Sequence, residues 1–540
     1  MTDTTKPRPM PLAQLGITEV RTKLTLIFLL TSVGAFVTCL GYYLFSQIFY
    51  NPLHPLYGGG EVFLLPRSHL AQNDMAFSLF SQWGVLAVVV PSLVAIAYAA
   101  FSMAVNRRIS FRVFLLSAYI LCFLVELLFL FITTPEGLAH IADQTHSINN
   151  GIYLGLQQVT DQLTAHGIKD VLSLDSMRYL YGEMYAKIVP GTLPFVGATH
   201  PPGTFVLTYL VYGLGVALFP FLSHDTACGV VVALINTSAI IILGLIAKEM
   251  FSERIARLSC VMMLCLPSVA LHFMAVLDGV ASVFIGIGIL FLIHALNAIT
   301  ASSKRAHMFY GAGAGVALTL AAQFTFGHAF PILAVLTAFL ISSGDIVSQR
   351  KRMVQFAATL LIAPTCYFLF EYLVSAGKVF YVALALERAQ AVAAGLESRP
   401  YPISQVANLI VMSVMGGVVL FPSAILSLGS GLTMTRNLTR KPPARFTGKE
   451  RIRNYLLFSV FVMVLLLLFQ KTVRLEVERT WHWFFLPVWA LMGYLFYGIH
   501  VFFRRLFPAK KGFGNLPVLL FCLVQLAITV ALAMSIQDYY

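Results

Sequence analysis

Apolar residues run through this chain in blocks of about 17 to 25, the length a helix needs to cross a hydrocarbon layer with its backbone groups bonded internally. Fourteen such blocks are legible: 24–49, 82–104, 112–133, 203–221, 226–247, 257–276, 281–300, 309–325, 328–346, 353–375, 406–430, 455–470, 482–503 and 514–537. The polar stretches are a 23-residue N-terminal arm, a long segment over 134–202 and a basic one around 434–453. The pattern predicts an all-α polytopic membrane protein whose first apolar run is retained as an anchor, because it is too long for a signal peptide and lacks a small-residue cleavage motif.

Charge then sets the topology, since Lys and Arg accumulate on the cytoplasmic side of a membrane protein. If run 203–221 does not cross, 26 of the 36 basic residues share the N-terminal side, including Arg107, Arg108, Arg112, Lys248, Arg254, Arg257, Arg350, Lys351, Arg352, Arg504 and Arg505. If it crosses, every later loop flips and that side keeps only 13. The expected arrangement is therefore about 13 transmembrane helices, N-terminus in and C-terminus out. Run 203–221 becomes a juxtamembrane helix closing a large first outside loop, which also carries an amphipathic helix. Sixteen of the 23 carboxylates then lie on the outside face or at its helix ends.

Composition narrows the class further. The chain is 58% hydrophobic and 11% charged, with a mean hydropathy of +0.82, which excludes a soluble enzyme with a membrane tail. Its net charge of +13 calls for no nucleic-acid partner, because basic loops beside anionic headgroups account for most of it. All seven Cys fall inside or at the ends of apolar runs, where they behave as small hydrophobes rather than as a disulfide framework or a metal site. Glu126 stands alone in the middle of a run. Such a carboxylate is costly and marks function unless it is protonated or pairs with a hydroxyl inside the bundle.

The outside loop holds the candidate chemistry. Ser173 suits an N-cap, and Leu174, Met177, Tyr181, Met184 and Ile188 recur at three- and four-residue steps, which predicts an interfacial amphipathic helix over 174–188. Pro190-Gly191 ends it. Pro201 and Pro202 suit the first turn of the next helix, so His200 sits at a helix start, where free N–H groups favour a phosphate.

The acidic motif Asp175-Ser-Met-Arg178-Tyr179 followed by His200-Pro201-Pro202-Gly203 resembles the first outside loop of the glycosyltransferase C superfamily. The nearer branches are the protein O-mannosyltransferases and the bacterial aminoarabinose lipid A transferases. Asp278, ending the sequence Met-Ala-Val-Leu-Asp at the outer end of a span, and Glu478-Arg479-Thr480-Trp481 before an apolar helix with Pro487, are similar to further features of that family. The chain departs from it in having Ser176 where a second adjacent acid is common, and in the extra segment 134–172 with Glu136, Asp143 and His146.

On this resemblance, residues 1–23 form a cytoplasmic arm and 24–111 two accessory transmembrane helices. Residues 112–345 form the catalytic module, with outside loop 134–225, and 346–540 the C-terminal helices, with basic loop 434–453. The resemblance implies a protein of the bacterial cytoplasmic membrane with an extracytoplasmic active site. That site would transfer a sugar from a polyprenyl-phosphate donor to an acceptor hydroxyl on a glycan, lipid or protein, with inversion. Asp175 or Asp143 is the candidate general base. His200, Arg178, Asp278, Arg474, Arg479 and His482 are the candidate substrate-binding residues. No cofactor is required; a divalent cation is compatible with Asp143, Asp175 or Asp278, although no ligand spacing demands one. The alternative is a transporter or flippase of a lipid-linked sugar or small solute. It would place ionisable residues along a midplane path, whereas here they gather at the outside face.

Overall fold

In the computed structural model the chain is described over residues 83–133, 152–168, 170–184, 201–272, 277–301, 305–324, 329–342, 350–377, parts of 452–459, 485–507 and 515–535. Every regular element among them is helical, and none is a strand. In chain order they are α1 (Trp83–Val105), α2 (Phe111–Thr133), α3 (Ile152–Ala165), α4 (Leu174–Arg178) with a π-helical turn (Tyr179–Met184), α5 (Pro202–Leu218), α6 (His224–Thr237) and α7 (Ala239–Met250). Then follow α8 (Glu253–Leu264), α9 (Pro267–His272), α10 (Leu277–Thr300), α11 (Ala306–Ala322), α12 (Ala329–Ser342), α13 (Arg350–Val374), α14 (Phe485–Leu506) and α15 (Leu516–Ser535). Runs 24–49 and 406–430, and most of 455–470, lie outside the described residues.

Among the described residues, five helices are long and apolar enough to span a bilayer: Gly84–Val105, Phe111–Ile132, His224–Met250, Gly279–Thr300 and Arg350–Val374. The chain is an all-α integral membrane protein. Two apolar runs are interrupted. A turn at Ser238 separates α6 from α7, and Pro267, which has no N–H to give to a continuing helix, starts α9 after the break at Cys265 and Leu266.

One core cluster joins α1, α2, α7, α8, α10, α14 and α15, with Phe114, Phe129, Tyr455 and Phe496 fully buried in it. α2 runs antiparallel to α6 and α7. The Lys248 ammonium lies 4.9 Å over the Phe111 ring near one end of the pair, and Thr237 meets Glu126 further along.

The basic turns converge on one end of the bundle. Arg257 is buried and donates to the carbonyls of Met103, Asn106 and Ile109 at 3.3, 3.4 and 2.6 Å, and to Glu253 at 2.7 Å. That ties the α1–α2 turn to the start of α8. Arg352 donates to the Ile299 carbonyl at 3.2 Å, so α10 ends where α13 begins. His307, at the start of α11, meets Gln355 of α13 at 3.2 Å.

α5 has both ends away from those turns. At its start, Thr204 donates to the carbonyls of Gln323 and Phe324, at the far end of α11, and Leu207 and Val211 join Val280 and Ala281, at the start of α10, in one apolar cluster. Its other end is tied to the start of α6, where the Tyr212 hydroxyl lies 2.8 Å from His224 Nδ1. Gly215 makes this hairpin close, because a Cβ there would come within 2.8 Å of the Ala227 backbone.

Candidate functional site

Everything described of the long polar loop packs at the end opposite the basic turns. A small apolar cluster carries it: Val159 and Leu163 of α3, Val171, Leu180 and Tyr181, together with Phe205 of α5 and Val374 of α13. Ser173 caps α4 as its position suggests, its hydroxyl accepting from the Ser176 N–H at 3.1 Å.

Over its described part, 174–184, the amphipathic stripe expected over 174–188 takes a different register; 185–188 lie outside the described residues. α-Helix persists only to Arg178, and the wider π turn that follows rotates successive side chains, so that Tyr179, Leu180 and Tyr181 are all buried while Leu174 is exposed. Three neighbouring aromatic and aliphatic residues thus face inward where a regular helix would bury one or two.

A polar chain runs beneath this segment. The Tyr367 hydroxyl of α13 lies 3.1 Å from the Tyr181 hydroxyl and donates to Gln323 Oε1 at the end of α11. The Gln323 carbonyl accepts from Thr204 in the first turn of α5. Pro201 and Pro202 open α5, and a Cβ on the next residue, Gly203, would collide with the Gln323 side chain. The Pro-Pro-Gly triplet therefore seats the start of α5 directly on Gln323.

Glu371, 3% exposed, lies one helical turn beyond Tyr367 on α13. Burial, and then the nearby Glu371 charge, push the Tyr181 phenol well above its ordinary range, and the bond with Tyr367 offsets part of the shift.

Asp175 occupies the first turn of α4 with its side chain 73% exposed, and Arg178, 60% exposed, meets it at 3.2 Å. An exposed pair of this kind adds little stability but leaves the carboxylate open to an incoming hydroxyl. Asp278 lies in the first turn of α10, and its side chain is outside the described residues. Asp143, His200, Arg474, Arg479 and His482 also lie outside them. Among the described residues, no three His, Cys, Asp or Glu side chains gather in a way that could hold a metal ion.

Glu126, 1% exposed, accepts from Thr237 at 3.0 Å and from the Cys122 thiol at 3.6 Å. It is paired with a hydroxyl inside the bundle, the structural option that a mid-run carboxylate leaves open. The sequence marks Tyr181 only as part of an apolar stripe, and leaves Gln323, Tyr367 and Glu371 without a role. For Glu371 the signal was available, because it too is an acid inside an apolar run. Tyr367 has no such mark among 22 tyrosines, and the stripe that holds Tyr181 does not point to its hydroxyl.

No protein-family description matches the chain, and no curated protein does. Among solved structures, the chain is similar to an oligosaccharyltransferase of Archaeoglobus fulgidus in complex with Zn and sulfate, at 16% identity and a TM-score of 0.42, over 67% of this chain and 49% of that one. It is also similar to that organism's oligosaccharyltransferase tethered by a disulfide bond to an acceptor peptide containing the NVT sequon, at 12% identity and a TM-score of 0.41, over 72% of this chain and 55% of that one. The chain thus spans about half the length of these proteins. A likeness this low assigns neither activity nor mechanism.

Proposed function

We propose that the chain is a membrane glycosyltransferase that moves a sugar from a polyprenyl-phosphate donor to an acceptor hydroxyl at the extracytoplasmic end of its helix bundle. One observation carries the reading. The acidic segment of α4 and the proline-started α5, which hold two of the resembling motifs, are joined through Tyr181, Tyr367, Gln323 and Thr204 at the end opposite the basic turns.

With the basic turns cytoplasmic, this end faces outward. α5 has both ends on that side, so it lies in or above the outer leaflet rather than crossing. A donor with its prenyl tail among lipid-facing helices would present its phosphate and sugar at this level.

A hydroxyl is a poor nucleophile at neutral pH, so a carboxylate must take its proton while oxygen bonds to the sugar's C1. Asp175 or Asp143 is that base. The bond from C1 to the phosphate oxygen breaks, and its electron pair leaves with the polyprenyl phosphate. The growing negative charge calls for cationic and N–H donors, the role assigned to His200, Arg474, Arg479 and His482. Arg178 holds Asp175 in place, and Asp278 binds sugar hydroxyls or a divalent ion. A glycan, lipid or protein hydroxyl serves as acceptor, and the bacterial cytoplasmic membrane is the setting.

The test is sugar transfer in detergent from a polyprenyl-phosphate donor by Asp175→Asn and Asp143→Asn. One of them should lose roughly 10²–10⁴-fold in rate while keeping its melting temperature. Full activity in both would remove the mechanism.

A further inference from the structure

Three arginines from three separate elements lie at the basic end: Arg107 in the α1–α2 turn, which Arg257 ties to the start of α8 through the Asn106 and Ile109 carbonyls, Arg254 in the first turn of α8, and Arg504 in the last turn of α14, one helical turn beyond the His500 that Arg254 touches. The Arg254 guanidinium stacks 5.1 Å over the Tyr497 ring and contacts His500 Nε2 at 2.5 Å. Tyr497, His500 and Arg504 follow one another at three- and four-residue steps, so they share a face of α14. Tyr497 and His500 are themselves stacked, at 6.2 Å and 18°.

The neighbouring Arg257 shows how a cation is satisfied here, with Glu253 and three backbone carbonyls around it. Among the described residues, no carboxylate forms an ion pair with Arg107, Arg254 or Arg504. Burial lowers the Arg254 guanidinium from its ordinary value; Tyr497 offsets part of the shift, and the charges of Arg107 and Arg504 add to it. Arg254 is half-buried, with the Tyr497 ring on one face and His500 Nε2 as an acceptor at one edge.

We propose that Arg107, Arg254 and Arg504 form a binding site for the phosphate of an anionic membrane lipid, walled by Tyr497 and His500. Guanidinium groups match a phosphate's oxygens in pairs, and one anion among three cations removes their mutual repulsion. A lipid phosphate is favoured over a soluble one by where the cluster lies. Arg107 follows the end of α1, an apolar helix that leaves Val88, Val94 and Tyr98 exposed, and Arg504 closes α14 beside the exposed Phe507. Headgroup phosphates sit at the ends of such helices.

The test is native mass spectrometry of the full chain in detergent, titrated with phosphatidylglycerol or with phosphatidylcholine of the same acyl chains. The wild type should retain phosphatidylglycerol preferentially. R107Q/R504Q, which changes two exposed side chains and spares the packed one, should lose affinity on the order of tenfold. R254Q should behave likewise, R254K should recover part of the loss, and R350Q/K351Q, at the same end, should bind as wild type. An excess of inorganic phosphate should not displace the lipid. Equal retention of both lipids, unchanged retention in R107Q/R504Q, or displacement by inorganic phosphate would each overturn the proposal.

Discussion

Tyr181 is the residue on which the polar and apolar parts of the candidate site both depend. Its ring packs edge-on to Phe370 at 5.7 Å, and its hydroxyl meets Tyr367. Because burial and the Glu371 charge oppose ionisation, the folded chain holds this proton at a pH where the unfolded chain has lost it. The stabilising effect is complete below the unfolded value of about 10 and falls away as pH rises beyond it. Thermal unfolding in detergent at roughly pH 8 and pH 11 should therefore show a steeper alkaline loss in the wild type than in Tyr181→Phe. The difference should be about 1.4 kcal/mol by about pH 11, where the unfolded phenol is largely ionised. Parallel losses in the two proteins would mean that this phenol titrates normally. The hydrogen bond removed by the substitution shifts both pH values alike and leaves the comparison intact.

Among the elements, the α5–α6 hairpin sets the shape of the site's end of the bundle. α5 presents Leu210, Leu214 and Leu218 outward, yet it buries Gly203, Thr204 and Phe205 at its start and Gly215 near its end. Gly215→Leu forces the two helices apart, since the side chain meets the Ala227 backbone and cannot be accommodated by a rotamer change. A loss of roughly 1–3 kcal/mol in detergent unfolding is expected, the usual cost of overpacking, with earlier proteolysis in the turn over 219–223. Gly213→Leu on the same helix meets nothing within 4 Å and should be neutral, which separates crowding from helix propensity. At this scale the sequence was a good guide to extents. Run 82–104 became Trp83–Val105 and run 112–133 became Phe111–Thr133. It was a poorer guide to breaks, because a π turn after Arg178 and a turn at Ser238 leave no change in hydrophobic period before them.

For the whole molecule, the consequential quantity is which chain ends share a side. Residue 221 lies in the turn just before α6, a full helical pair away from the turn of residues 251 and 252, and that turn is pinned to the α1–α2 turn by Arg257. In intact cells, with native cysteines removed, a membrane-impermeant maleimide should label Phe221→Cys and leave Arg108→Cys untouched. Labelling of both from outside, or of Arg108→Cys alone, would reverse the proposed orientation and move the acidic end to the cytoplasm. Phe221, 78% exposed, suits the reagent, whereas Gly203 at the other end of α5 is buried against Gln323 and would report on packing instead.

Hydrophobic block lengths and the placement of Lys and Arg determined by themselves that this is a polytopic helical membrane protein with a polarised charge distribution. Both follow from the bilayer's demand that backbone groups be bonded internally and charges be left outside, which acts on each segment separately. The Ser173 cap and the proline start of α5 were legible for the same reason, being local backbone chemistry. Only the tertiary structure decided that Tyr181, Gln323, Tyr367 and Thr204 form one connected chain, that Glu126 answers to Thr237, and that Arg257 locks two distant turns. Those pairings join residues more than a hundred positions apart in most cases, and they depend on which helix faces meet, which no local pattern records.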